Sequence, residues 1–346
     1  MKRRQRTGKT VKIDDVAREA NVSIMTVSRA LRGVEGVSEG KRAEIFDIAE
    51  RLRYQPNLNA RSLVGVQSSL VGISFPTLFN DVFAEMLDGM RPALESAGLT
   101  TIVTTTEYDR ERELNWVNTV RPWRPAALVL TGTDHDDKVR RILRRDLIPT
   151  LETWEYNDDP IDISVGIDHV EAGRQVAKEM IALGYRKPAY VGFEPGHDLR
   201  AEKRLLGIRT AFSDAGFGEV RTARHGTGDG YRSGYDGLMS VARDTQDRPD
   251  IVFFLSDHFA FAGLVACEEL GLSVPEDIGI VGFNNLSING VLSKKLTTVI
   301  TPRREMGARG ARNLIARING IKTDLSLRLP AKIVFGDTTR RPLKAD

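Results

Sequence analysis

Residues 11–63 read VKIDDVAREANVSIMTVSRALRGVEGVSEGKRAEIFDIAERLRYQPNLNARSL, and the spacing of apolar positions in this stretch sets the organisation of the chain. From Asp14 to Ala20, Val16 and Ala17 turn to one side while Asp14, Asp15, Arg18 and Glu19 stay in water, as one helical stripe requires. Asn21-Val22-Ser23 breaks that helix. Ser23 can accept from the free N–H groups of the next turn, so a second helix is expected to run from there through Leu31. Two short helices about a tight turn form a helix-turn-helix. Val27, Ala30 and Leu31, at i, i+3 and i+4, face the first helix, which leaves Ile24, Met25, Ser28 and Arg29 outward. In a major groove those side chains meet base edges, with Arg29 able to grip guanine O6 and N7, and Ser23, Thr26 and Ser28 are placed to hold phosphates. A three-helix domain without nucleic acid is the plainer alternative.

Ser38 opens a longer helix, with Ile45, Ile48, Ala49 and Leu52 recurring on one face. Tyr54-Gln55-Pro56 ends it, because proline cannot continue a helix and biases its predecessor to extended geometry. Asn57 then caps one or two turns through Leu63. A helix that short is marginal in water by itself, so it is expected to be ordered only when something such as bent DNA holds it.

Charge supports this division. The 346 residues carry a net +3, but residues 1–64 hold 14 Lys and Arg against 8 Asp and Glu, or +6, and the remainder 36 against 39, or −3. The basic part, including Lys2-Arg3-Arg4, adjoins the helix-turn-helix, where a positive field attracts phosphate. A single cysteine, Cys267, excludes an intramolecular disulfide and sits in an apolar helical run as core packing. With no signal peptide and no apolar run near 18 residues, a soluble cytoplasmic protein without membrane contact is expected.

From Ser69 the pattern becomes short apolar runs alternating with amphipathic helices. LVGISF, LTTIVTTT, AALVLTG, IPTLET, KPAYVGF, DIVFFLS and IGIVGF read as buried strands. Helices are expected at Val82 to Ala97, Val170 to Leu183, Arg204 to Ala215 and Phe259 to Leu270, ended by Gly98, Gly184, Gly216 and Gly271. Such alternation makes an α/β body of parallel sheets flanked by helices. About 275 residues is long for one sheet, so two subdomains are expected.

VSIMTVSRAL, RYQPNLNARSL and this body together resemble the lactose-repressor family of bacterial transcription factors, over nearly the whole chain. MTVSR, FNDVFAEMLDGM, DISVGIDHVEAGRQV and TPRREMGARGARNLIARI are most similar to its gluconate-repressor group. The resemblance implies a head at 1–56, a hinge helix and linker at 57–68, and a periplasmic-binding-protein-like body at 69–346. Within the body it implies an N-subdomain of about 69–165 plus 302–326 and a C-subdomain of about 166–301 plus 327–346. It further implies a homodimer on a palindromic operator, with paired hinge helices in the minor groove and Leu63, flanked by Ala60 and Arg61, wedged into the central base step. Ile24-Met25 departs from the polar start usual for the reading helix and points to thymine methyls.

An effector-binding cleft between the subdomains is also implied, and with it a candidate wall. Asn80 and Asp81 are read either as helix caps or as ligand contacts, and Phe83 and Trp154, the latter just past a strand end, either as packing or as rings on the effector. Arg204, three residues before Gly207, matches the family's effector arginine, the alternative being a surface salt bridge. Ser256 stands where Asn is frequent, and Asn284 where Asp is frequent. Removing that carboxylate beside Arg204 favours an anionic ligand, a sugar acid such as gluconate, over a neutral sugar. Thr301, at a crossover, adds a hydroxyl.

Enzyme signatures are missing. There is no Gly-x-Gly-x-x-Gly after the first strand, no phosphate-binding Gly-x-x-x-x-Gly-Lys loop, no Gly-x-Ser-x-Gly and no His-Glu-x-x-His. His135, His169, His197, His225 and His258 are scattered singly and read as surface or capping residues. No cofactor, metal or catalytic residue is expected. The other functional reading is a dimer that binds DNA without effector control. The tail RRPLKAD lacks a leucine heptad, so a dimer is expected rather than a tetramer.

Overall fold

The computed structural model describes residues 11–31, 33–54, 68–79, 81–226 and 230–341. The chain divides into two compact units, Met1–Ser68 and Ser69–Asp346. Elements are labelled in chain order over the described residues.

The first unit holds α1 (Ile13–Glu19), α2 (Ile24–Leu31) and α3 (Glu39–Arg51). Ser23 Oγ accepts from the Thr26 N–H at 3.1 Å and Ser38 Oγ from that of Lys41 at 3.4 Å, so both expected serine caps are formed. One small core joins the three helices: Val16, Ala17, Ala20, Val27, Ala30, Ile45, Ile48 and Ala49 are buried, with Leu31 and Leu52 packed at its edge.

The second unit contains two parallel sheets. The six-stranded one is built from β1 (Leu70–Phe75), β2 (Thr100–Thr105), β3 (Ala127–Thr131), β4 (Thr150–Glu155), β5 (Ile163–Ile167) and β11 (Ser326–Arg328), in the order β11-β5-β4-β3-β1-β2. Its helices are α4 (Asp81–Ser96), α5 (Arg110–Val120), α6 (Asp137–Asp146) and α11 (Arg303–Ile318), the last packed on α4 and over β4 and β5. The four-stranded sheet takes β6 (Pro188–Gly192), β7 (Arg221–Arg224), β8 (Ile251–Phe254) and β9 (Gly279–Val281) in the order β7-β6-β8-β9. With it go α7 (His169–Ala182), α8 (Leu199–Asp214), α9 (Gly230–Ala242) and α10 (Asp257–Glu269). An antiparallel pair, β10 (Thr298–Ile300) and β12 (Lys332–Val334), completes this lobe. The chain passes between lobes after β5, after β10 and after β11.

Aspartate caps recur where a helix begins: Asp109, Asp136, Asp168 and Asp198 each accept from backbone N–H groups of the following turn. The Asp198 cap starts α8 at Leu199, so the helix expected from Arg204 begins five residues earlier. Gly98, Gly184, Gly216 and Gly271 each take left-handed φ values of 67 to 89° after a helix, as stop signals should.

Two strand readings need correction. β2 is not buried: Ile102 is 38% exposed and its neighbours are open, because β2 is the edge strand of its sheet. Buried β5 and polar β7 are strands that the apolar-run pattern does not pick out. Arg221-Thr222-Ala223-Arg224 lies at a sheet edge, where no apolar run is demanded.

Candidate functional site

On the head, the first turn of α2 carries the exposed side chains of Ile24 and Met25, 50% and 58% accessible, with Arg29 also exposed and Ser28 half-buried. Its opposite face spends Val27 and Ala30 on the core, so the outward set follows from helical geometry. The hydroxyls of Ser23 and Thr26 lie 2.9 Å apart and are engaged in the cap. Asn57, Ala60, Arg61 and Leu63 lie outside the described residues, as does Asn80 in the body.

In the body, a cavity of about 480 Å³ opens between the lobes. One wall carries Val82, Phe83, Tyr108 and Trp154, and the other Phe193, His197, Arg200, Arg204, Ser256, His258 and Asn284. Backbone strain gathers here. Trp154, Tyr108 and Asn284 have φ of 78°, 62° and 105°, values that side-chain-bearing residues adopt only when their surroundings impose them. Trp154 lies inside β4, opposite Gly166, and not past the strand end. Its ring meets Phe83 edge-on at 6.0 Å, and Phe83 stacks on Phe75 at 5.4 Å, so both aromatic candidates belong to core and cavity wall at once.

Arg204 is no surface ion pair. It is 5% exposed, with Nη1 3.1 Å from His169 Nδ1, Nη2 donating to the Leu255 carbonyl at 3.2 Å, and its guanidinium 4.3 Å above the Phe283 ring. It stands there because α7 and α8 cross in close contact. A Cβ on Gly207 would lie 2.0 Å from the Val170 carbonyl oxygen, and one on Gly173 2.1 Å from that of Arg204. Arginine always donates, so His169 Nδ1 must hold its lone pair toward it and the ring is neutral. Burial, then the nearby Arg204 and Arg200 charges, push the His169 pKa well below its ordinary value. Two of the five guanidinium donors are used among the described residues, and three remain. Asn284, 8% exposed, has an Oδ1 without a partner among the described residues.

Ser256 caps α10 through its backbone, its hydroxyl makes no cap bond, and it lines the cavity. Two candidates fall elsewhere. Asp81 is an exposed residue of the first turn of α4 and is not on the cavity wall, and Thr301 is buried at the crossover, accepting from Arg303 Nη1 at 3.2 Å.

Sequence reasoning missed several wall residues. Asp198 holds Arg200 Nε at 2.9 Å; burial opposes its ionisation, but Arg200 and Arg204 outweigh that and bring its pKa down to about 2. Most of the histidines are not the surface or capping residues expected of them: His135 and His169 are buried, and His197 and His258 line the cavity. Their single spacing hides this, since the residues they meet are remote in sequence. Asp-x-Arg at 198–200, a cap followed by a cation, is the one local signal of this wall. No cluster able to hold a metal ion occurs among the described residues.

Residues 12–57 match the family model described as bacterial regulatory proteins, lacI family, and residues 177–339 that of a periplasmic binding protein-like domain. Over 308 residues the chain is 34% identical to the HTH-type transcriptional regulator GntR of Escherichia coli, covering 89% of this chain and 92% of that one. Catabolite control protein A of Staphylococcus aureus is 27% identical over 96% of this chain and all of its own length. A transcriptional regulator of the LacI family from Silicibacter pomeroyi superposes with a TM-score of 0.87 at 31% identity, over 96% of this chain and 100% of that one. The lac repressor dimer bound to operator and the anti-inducer ONPF gives 0.78 at 23% identity, over 96% and 100%, a likeness of fold. A helix-turn-helix head on a two-lobed binding body, with relatives that are regulators and not enzymes, identifies the chain as a DNA-binding transcriptional regulator of the lacI family.

Proposed function

We propose that this regulator is a cytoplasmic homodimeric repressor of sugar-acid metabolism genes, released from or held on a palindromic operator by a small sugar acid in the interlobe cleft. One observation carries the ligand class: Arg204 keeps three donors while buried, and the same cavity wall carries an Asn284 side-chain amide oxygen that no group among the described residues satisfies. A carboxylate suits the guanidinium fork, and an adjacent hydroxyl suits the amide. Phe83 and Trp154 supply apolar faces, Ser256 a hydroxyl, and the cleft volume lies within the range of small-molecule sites. Ser23, Ile24, Met25, Thr26, Ser28 and Arg29 are the proposed reading surface. Asn57, Ala60, Arg61 and Leu63 are the proposed hinge contacts with the minor groove. Of the other candidates, Asp81 and Thr301 lie off the cavity wall and are assigned helix-start and crossover roles.

The test is calorimetry and operator mobility shift with D-gluconate, its 6-phosphate and neutral glucose. Aldonate binding that changes operator affinity supports the proposal, with the two sites sharing a coupling of about 1 to 3 kcal/mol. Tighter binding of glucose than of any aldonate refutes the anionic assignment. Operator binding indifferent to every cleft ligand refutes effector control.

A further inference from the structure

The first turns of α8 reach across the cleft to the opposite lobe. Lys203 Nζ donates to Glu155 Oε1 at the end of β4 and stands 3.5 Å from Thr133 Oγ1, which donates to Glu155 Oε2 at 3.1 Å. Nearby, the Arg200 guanidinium lies 5.3 Å from the centre of the Tyr108 ring, while His197 packs on that ring at 4.8 Å. Arg200 packs against Gly132, which has a left-handed φ of 85° and where a Cβ would lie 2.9 Å from Arg200 Nη1. Glu155 is buried in the opposing lobe, where a carboxylate stripped of its partners is costly. At the crossover, Arg303 bonds Glu85 of one lobe and the Asn284 and Asn285 carbonyls near the other sheet, which makes a pivot.

We infer that residues 197–203 are a latch that holds the two lobes closed about this pivot through protein contacts alone, so that opening of the cleft requires its release. Both partners of every contact belong to the chain, and closure therefore draws on no ligand binding energy. A ligand then shifts the lobes only by the difference in its affinity for the latched and unlatched forms. This holds whatever molecule the cleft accepts, and does not rest on the sugar-acid reading.

The experiment uses the full-length protein without ligand. Cys267 is buried and its thiol is pushed up to about 12 by burial, so nitroxide labels attach selectively at Lys138→Cys on α6 and Arg209→Cys on α8, both exposed. With the doubly labelled chain mixed into excess unlabelled protein, so that a dimer carries labels on one protomer, electron-electron resonance should give one narrow interlobe distance in the parent. Lys203→Met and Glu155→Gln should each add a longer distance, raising the open-to-closed ratio roughly fivefold, as loss of a partly exposed ion pair allows. The double variant should open no further than the singles combined would predict for independent sites, because the two residues act on each other. Thr133→Val, a near-isosteric change, should open the lobes to a smaller degree. A broad distribution in the parent, or unchanged distances in variants whose circular dichroism and melting are intact, overturns the latch. Failure of gluconate to bind would refute the effector proposal and leave these distances readable.

Discussion

Nη1 of Arg204 and Nδ1 of His169 lie 3.1 Å apart with both side chains buried, so a neutral imidazole fixes a cation that faces the cleft with donors to spare. The pair joins α8 to α7 and lies against the Phe283 ring, next in sequence to Asn284. Whatever binds at Arg204 is thereby coupled to the packing of these two helices.

Arg204→Lys should weaken aldonate binding by roughly tenfold to a hundredfold, because lysine offers a point charge where a planar fork is held. It should also destabilise the body by about 1 to 3 kcal/mol by depriving His169 Nδ1 and the Leu255 carbonyl of a donor. Calorimetry and denaturant unfolding separate the two effects. Unchanged aldonate affinity in the folded variant would remove Arg204 from the site.

Gly207→Ala tests whether helix contact places the arginine. The new methyl would meet the Val170 carbonyl at 2.0 Å, forcing α7 and α8 apart. Overpacking of this kind costs typically about 1 to 3 kcal/mol, and ligand affinity should fall with stability. Loss of stability with full affinity would show that Arg204 does not depend on this crossing.

His135 governs a pH dependence. Nδ1 lies 2.8 Å from Glu113 Oε2 and Nε2 3.0 Å from the Gly132 carbonyl, two acceptors that require an imidazolium. Burial alone would lower its pKa, but the Glu113 and Glu152 carboxylates outweigh burial and raise it above 6.5. A group with a raised folded pKa stabilises fully below the unfolded value and loses that contribution as pH climbs through the folded one. The melting temperature of the body should therefore decline from about pH 6.5 upward, and His135→Gln should flatten that decline. Equal slopes in the two proteins would count against a charged His135.

On DNA, Leu63→Ala should reduce operator affinity far more than non-specific affinity, as loss of an intercalating wedge does. Met25→Ala should lose discrimination at a thymine, and Arg29→Ala at a guanine by about 1 to 3 kcal/mol. All three should retain the steep salt dependence that phosphate contacts impose. Mobility shifts on operator and scrambled duplex decide the matter, equal losses on both refuting the base-reading assignments.

Much of the fold is legible in the linear chain. Ser23 and Ser38 announce their helices through hydroxyls that serve the very next turn, and Val16, Val27, Ile45 and Ile48 announce the head core by periodicity. Those interactions span few residues or repeat regularly, so a linear reading finds them. β2 misleads because an apolar run says that a strand exists without saying which place in the sheet it takes.

Sequence by itself determined the alternation of strands and helices, the basic head, the caps and the family motifs, because each follows from neighbours along the chain. Tertiary structure alone decided the cleft. Trp154 turned left-handed within β4, His169 set against Arg204, and Lys203 reaching Glu155 all join residues that only folding brings together, where burial and close packing fix conformations and charges that no local pattern encodes.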